Sequence, residues 1–157
     1  MPMSRIVAAT AVLATALVAT ATEASAQTSR SHLGPRIGYN FDAEVATVGG
    51  QLSFPVGNRL EFYPSADIHL VDEGSMFGVN LDLKYRVPGQ SLPWLYIGAG
   101  LGILSRSVGN FDNTDTGLNL FLGAESLRGR VHPFVEGRVT VADGSTAQLV
   151  AGLNFTL

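Results

Sequence analysis

Cysteine is absent from the 157-residue chain, so no disulfide framework holds it together. Lys and Arg total only 10 against 13 Asp and Glu, for a formal net charge of −3. That balance argues against a nucleic-acid-binding protein, which needs a basic face. Beyond the N-terminal stretch, no segment reaches the ~20 continuous apolar residues of a membrane helix. The chain also has no phosphate-binding loop, dinucleotide-binding glycine pattern or Gly-x-Ser-x-Gly element.

What the N-terminus does contain is typical of an export signal. Arg5 supplies a positive start, residues 6–21 are apolar, and Ala24-Ser25-Ala26 has the small-x-small pattern of a cleavage site. We therefore predict a signal peptide over residues 1–26 and one exported domain over residues 27–157. The alternative is a transmembrane anchor, which the shortness of the apolar run and its threonines disfavour.

The exported domain is built from segments in which apolar and polar residues alternate, the pattern of a two-faced strand. In the last segment, Leu149, Leu153 and Phe155 alternate with Gln148 and Asn154. There are eight such segments, and the strands they predict are Leu33–Phe41, Val45–Phe54, Arg59–Leu70, Met76–Val87, Trp94–Leu104, Gly117–Leu127, Val131–Val141 and Ala147–Leu157.

The links between these segments differ by side. Links after the even segments are neutral or basic, whereas those after the odd segments contain Asp42, Glu44, Asp72, Glu73, Asp112, Asp115 and Asp143. Such alternation is typical of an up-and-down meander, which can close and leave no edge. We predict an all-β, eight-stranded antiparallel barrel with both termini at the basic rim and an outside loop at Ser105–Thr116. Pro35, Pro64 and Pro133 should lie near strand ends or bulges, because proline donates no ladder hydrogen bond.

Alternation alone does not separate a soluble barrel with an apolar interior from a membrane barrel with a polar one. The membrane arrangement is favoured because charged residues are only 15% of the chain and those on the polar faces balance. We predict a lumen charge network made of Arg36, Lys84, Arg86, Arg138, Glu61, Asp67, Asp82, Glu125 and Glu136. Aromatic residues near strand ends, as in interfacial girdles, favour the same arrangement; they are Tyr39, Phe41, Phe54, Phe62, Phe77, Tyr85, Trp94 and Phe155.

The fourth segment gives the sharpest form of this expectation. Its polar face should point inward and its apolar face outward. The inward residues are Asn80, Asp82, Lys84 and Arg86, and the outward ones are Leu81, Leu83 and Tyr85. In the fifth segment, Gly98, Gly100 and Gly102 predict an inward stripe of small residues beneath bulkier neighbours.

The signal ending in Ala24-Ser25-Ala26, the eight alternating segments and the closing segment Leu149–Leu157 resemble the small eight-stranded outer-membrane barrels of the OmpA, OmpX and opacity-protein type. The resemblance implies a bacterial outer-membrane location and contacts with outer-membrane lipid and lipopolysaccharide. It also implies that the barrel-insertion machinery reads the last strand. In that family the last residue is usually aromatic, whereas here it is Leu157, with Phe155 on the same face. We expect a monomer.

Three features contain residues of the types used in acid–base catalysis or metal binding. His69 and Asp67 point the same way from one strand, either as a metal or general-base pair or as a hydrogen-bonded lumen pair, and the second is favoured because no third ligand is evident. His132 is assigned to the lumen or rim. The segment 111–117 offers oxygens to Ca²⁺, but its spacing favours an acidic flexible loop. We predict no catalytic, cofactor or metal site.

These patterns predict a structural or surface-display barrel with a side-chain-filled polar lumen. A narrow ion path through the charges is a second version of it. The alternatives from other classes are a soluble exported barrel that binds an apolar ligand and a lipid A-modifying barrel enzyme. Lipid A-modifying barrel enzymes of the deacylase type are expected to carry a closely spaced His-x-Ser on one strand. Neither His69 nor His132 is followed by a serine at that spacing.

Overall fold

The computed structural model describes residues 30–89 and 94–157, so the predicted signal peptide lies outside the described residues. It contains eight strands: β1 His32–Asn40, β2 Val45–Gly57, β3 Leu60–His69, β4 Ser75–Arg86, β5 Leu95–Val108, β6 Phe111–Glu125, β7 Val131–Val141 and β8 Ser145–Thr156. Within these ranges, no helix is long and apolar enough to cross a membrane.

The strands form one closed antiparallel barrel in sequence order. Each pairs with its neighbours along the chain, and β1 closes the ring against β8 through pairs such as Ile37 with Ala151. The predicted eight-stranded antiparallel barrel is therefore confirmed. We call the end that carries turns 41–44, 70–74, 109–110 and 142–144 the acidic rim. The opposite end, where β1 starts and β8 ends, is the basic rim.

The outside loop predicted over Ser105–Thr116 is wrong, because β5 and β6 continue as a hairpin almost to its tip. Pairing runs to Val108 with Phe111, and a two-residue turn at Gly109–Asn110 joins the strands. Gly109 has a φ of 60°, the conformation that the first position of a type II′ turn requires. The flexible acidic loop predicted for 111–117 is therefore an ordered strand segment.

Proline marks interruptions of the ladder. Strand β2 runs past its predicted end, Phe54, to Gly57, with a register shift between Pro55 and Gly57. In β1, the pairing with β8 skips Pro35 and resumes at Arg36. Pro64 lies in the corresponding gap between β3 and β2. Each break lies where a proline has no N–H to donate.

Side chains alternate between a polar interior and an apolar exterior. On β4, Asp82 and Lys84 are 0% and 1% exposed, whereas Leu83 between them is 48% exposed. On β1, Arg36 is 1% exposed and the next residue, Ile37, is 64% exposed. The inward polar and outward apolar faces that the sequence predicts for β4 are thus observed.

Glycines on the lumen side make room for large side chains. A Cβ on Gly98 would lie 2.0 Å from Cζ of Phe121 and 2.5 Å from the carbonyl oxygen of Leu83. A Cβ on Gly100 would lie 2.3 Å from a carboxylate oxygen of Asp82. These clearances confirm the small-residue stripe that the sequence predicts on β5.

We expect Gly98→Ala to destabilise the barrel by about 1–3 kcal/mol, the range for overpacking a filled interior. The measurement is urea unfolding of the refolded protein. Gly137→Ala is the matched control, because nothing lies within 4 Å of its added Cβ among the described residues. Equal stability of the two variants would contradict the tight fit at Gly98.

Candidate functional site

The structure places all nine charged residues that the sequence assigns to the lumen inside the barrel, in three groups. The first group lies toward the basic rim and joins β3, β4 and β6. Nζ of Lys84 lies 2.9 Å from Glu61 and 3.2 Å from Glu125. Arg86 contacts the same two carboxylates, at 2.5 Å and 2.8 Å. Each cation bridges both carboxylates, so the four charges form a closed, balanced ring.

The second group is centred on Arg138 of β7. Its Nη1 lies 2.6 Å from Asp82 on β4, and its Nη2 lies 2.9 Å from Glu136. Each carboxylate also accepts a hydrogen bond from a neutral donor. The Tyr96 hydroxyl donates to Glu136 at 3.0 Å, and the Asn119 amide donates to Asp82 at 2.9 Å. One guanidinium thus serves two carboxylates, and hydrogen bonds compensate the excess negative charge.

The third group is a single bidentate pair. Nε and Nη2 of Arg36 each donate to a different oxygen of Asp67 at 2.8 Å. The pair joins β1 to β3 across the lumen, since β2 lies between these strands in the barrel wall. The geometry is the fork-to-carboxylate arrangement that makes charged hydrogen bonds strong.

Aromatic rings fill the middle of the lumen between the ion pairs. Tyr63, Tyr96 and Phe121 form the buried apolar cluster, at 0%, 1% and 5% exposure. Lys84 Nζ lies 4.7 Å from the ring centre of Tyr63, and the Arg138 guanidinium carbon lies 4.6 Å from that of Phe121. Both distances are within the range of cation–π attraction. The lumen is therefore filled in the manner expected of an eight-stranded barrel.

Sequence reasoning did not assign Tyr96, Phe121 or Phe134 to the interior. All three are aromatic residues that are buried in an otherwise mostly polar interior. The signal that could have found them is parity: Phe121 lies two residues after the inward Asn119, and Tyr96 lies two residues before the inward Gly98. A rule based only on polarity overlooks an aromatic residue on a polar face.

The histidines do not assemble a metal centre. Within residues 30–89 and 94–157, no group of three or more His, Asp or Glu is arranged to hold a metal ion. Both oxygens of Asp67 accept hydrogen bonds from Arg36, and His69 Nδ1 has no partner among the described residues, so the predicted hydrogen-bonded pair of His69 and Asp67 is wrong. At the basic rim, His132 lies with its ring centre 5.0 Å from that of His32 and its Nδ1 3.7 Å from Glu125.

The arrangement defines a narrow closed barrel with an apolar exterior and an ion-paired, side-chain-filled interior. The inward charges pair with one another across the lumen and so hold the strands of the barrel together. No protein-family model matches the chain. No curated protein matches its sequence significantly either.

Solved structures with a similar fold exist. The N-terminal β-barrel domain of Pseudomonas aeruginosa OprF matches with a TM-score of 0.65 and 18% identity, covering 82% of this chain and all of that domain. Neisserial surface protein A (NspA) matches with a TM-score of 0.57 and 15% identity, covering 82% of this chain and 95% of that one. Both are outer-membrane eight-stranded barrels. The predicted resemblance to that group is confirmed at the level of the fold.

We expect Arg138→Leu to cost about 3–5 kcal/mol of stability, because it leaves Asp82 and Glu136 buried without their cation. Urea unfolding measures the loss. The matched control adds Asp82→Asn and Glu136→Gln to the same variant, which removes all three charges and should recover most of the stability. A triple variant as unstable as Arg138→Leu would attribute the loss to packing instead of charge.

Proposed function

We propose that this chain is an outer-membrane β-barrel protein with a structural or surface-display role and no enzymatic activity. The observation that carries the proposal is the belt of apolar side chains around an ion-paired interior. Apolar side chains with exposures of 40–64% occur on all eight strands; they include Ile37, Val48, Ile68, Leu81, Leu83, Ile97, Leu101, Leu118, Leu120, Leu122, Val135 and Leu149. On a soluble protein so extensive an apolar surface is unusual, whereas lipid requires it.

The interior supports the same proposal. A soluble barrel that carries an apolar ligand needs an apolar cavity, but here the central positions hold Arg138, Lys84 and their carboxylates. Strand lengths of 9 to 15 residues meet the ~9–11 residues that a tilted strand needs to cross the hydrocarbon layer. Closure of the barrel leaves the backbone of the crossing segments paired, as a lipid environment demands.

Orientation and partners follow from the rims. We assign the basic rim, with both ends of the barrel, to the periplasm, and the acidic rim to the cell surface. Outer-membrane lipid and lipopolysaccharide would then contact the belt. The last strand, with Phe155 and Leu157 outward, would be read by the barrel-insertion machinery after removal of a signal peptide at residues 1–26. A monomer suffices, because the ring closes within one chain.

Cell fractionation tests the location. We expect the protein in the outer-membrane fraction, released only by detergent, with a band whose mobility changes on heating because a barrel resists unfolding in unheated samples. Recovery in the osmotic-shock fluid would contradict the proposal and favour a soluble exported barrel. A changed lipid A mass spectrum on overexpression would contradict the absence of enzymatic activity.

A charge placed in the belt tests its contact with lipid. Leu101 is 53% exposed near the middle of β5, and Leu101→Arg should cost about 2–4 kcal/mol of stability in lipid vesicles. Phe111→Arg is the matched control: Phe111 is 84% exposed at the hairpin tip, so the same charge should cost little there. In a soluble barrel both sites face water, and equal stability of the two variants would refute the membrane location.

Planar-bilayer recording tests the filled lumen. We expect no conductance above background, since Tyr63, Tyr96 and Phe121 occupy the centre of the barrel and the charges around them are paired. Discrete channel openings from the purified protein would instead support a narrow ion path through the charged lumen.

A further inference from the structure

A groove of about 730 Å³ lies at the outer surface of the barrel, where β5, β6 and β7 meet the basic rim. Its walls are mostly apolar: Trp94 lies just before β5, Leu127 just after β6, and Pro133 and Val135 on β7. Trp94, Leu127 and Val135 are 41–48% exposed, so these walls face the surroundings of the barrel. The ion-paired lumen therefore does not account for the groove.

The exposed charge of this groove has one sign. Its lining includes Glu125 and Arg128. The side chain of Glu125 is 0% exposed and is paired inside the lumen with Lys84 and Arg86. Arg128 is exposed and takes part in no ion pair in the part of the chain that the structure describes. One cation without a counter-charge is therefore left at the rim end of a mostly apolar groove.

The rest of the basic rim carries the same charge. Arg30, Arg59 and Arg130 are exposed there, and the described residues of this rim include no exposed Asp or Glu side chain. The two glutamates at this end of the barrel, Glu61 and Glu125, are buried. The groove thus opens onto a rim whose electrostatic field attracts anions.

Hydrogen bonds hold the turn that carries Arg128 in place beside the groove. The amide of Ser126 donates to the carbonyl of Pro133 at 2.8 Å. Nε2 of His132 lies 3.0 Å from the carbonyl oxygen of Gly129. Gly129 has a φ of 81°, a left-handed conformation that glycine adopts without strain. The backbone on both sides of Arg128 is therefore fixed relative to β7, which forms one wall of the groove.

We propose that the groove binds one anionic glycerophospholipid, an inference that rests on the membrane location proposed above. An acyl chain packs along Leu127 and Val135, and the guanidinium of Arg128 donates to the headgroup phosphate, which its planar fork suits. Trp94 lies at the membrane interface, where tryptophan is favoured because its ring is apolar and its indole N–H is polar. A lipid with a net negative charge is preferred to a zwitterionic one, because no exposed carboxylate side chain balances the arginines of this rim.

The test uses Trp94 as its probe, because the chain has one tryptophan and it lines the groove. The full protein is reconstituted in phosphatidylcholine vesicles that contain a fraction of phosphatidylglycerol with dibrominated acyl chains, which quench a tryptophan they contact. Brominated phosphatidylcholine in the same vesicles is the reference lipid. We expect phosphatidylglycerol to quench at about fivefold lower mole fractions, which is one arginine's contribution at an anionic surface. Added salt should reduce this preference.

Arg128→Gln should remove most of the preference and bring the two quenching curves together. Arg59→Gln is the matched control and should keep the preference. Arg59 is also an exposed arginine of the basic rim, but it lies in the turn between β2 and β3, on the opposite side of the barrel from the groove. An equal loss in the two variants would reduce the effect to diffuse rim charge and overturn the site.

Vesicle flotation separates a failure of this inference from a failure of the proposed membrane location. Protein that does not float with the vesicles would contradict both. Protein that floats, but whose Trp94 is quenched equally by the two brominated lipids, would overturn the lipid site alone. So would protein that floats with Trp94 shielded from both lipids, since a second copy of the chain or another protein would then cover the groove.

Discussion

Ion pairs across the lumen join strands that are not neighbours in the barrel wall. Lys84 on β4 reaches Glu125 on β6, and Arg138 on β7 reaches Asp82 on β4. These groups are 0–3% exposed, where an unpaired charge costs several kcal/mol. A one-residue slip of any strand would turn its inward set to the outside face. The pairs therefore specify the register in which the eight strands close, and the polar interior and apolar belt both depend on that register.

Most of the fold could be predicted from the alternation of apolar and polar residues in the sequence. Strand β7 begins and ends where the sequence predicts, at Val131 and Val141, because most of its outward positions are valines and most of its inward positions are polar. Strands β1, β3, β4 and β8 lie within two residues of their predicted ends for the same reason. A period of two fixes which face each side chain takes, so the sequence was sufficient to assign all nine lumen charges to the polar faces.

The same period does not show how far along the barrel axis each side chain lies. The sequence was therefore insufficient to predict which charges pair with one another. That Lys84 bridges Glu61 and Glu125, while Asp82 bonds Arg138, depends on the stagger between strands, which no single segment encodes. The β5–β6 extension was missed because its outward and inward positions are both mostly polar, so apolar periodicity stops at the rim while backbone pairing continues. The Gly109–Asn110 pair between Val108 and Phe111 was the available hairpin signal.

The β5–β6 extension also coincides with a change in the outward surface of the barrel. Pairing between β6 and β7 starts at Leu118 with Val141, and β6 before this point has β5 as its only strand partner among the described residues. At the same position the outward side chains change from Thr114 and Thr116 to the apolar Leu118. An unpaired strand edge is tolerable in water but not in hydrocarbon. Loss of the second partner and loss of the apolar face thus coincide at one residue, as expected if the hydrocarbon layer of the proposed membrane location ends there.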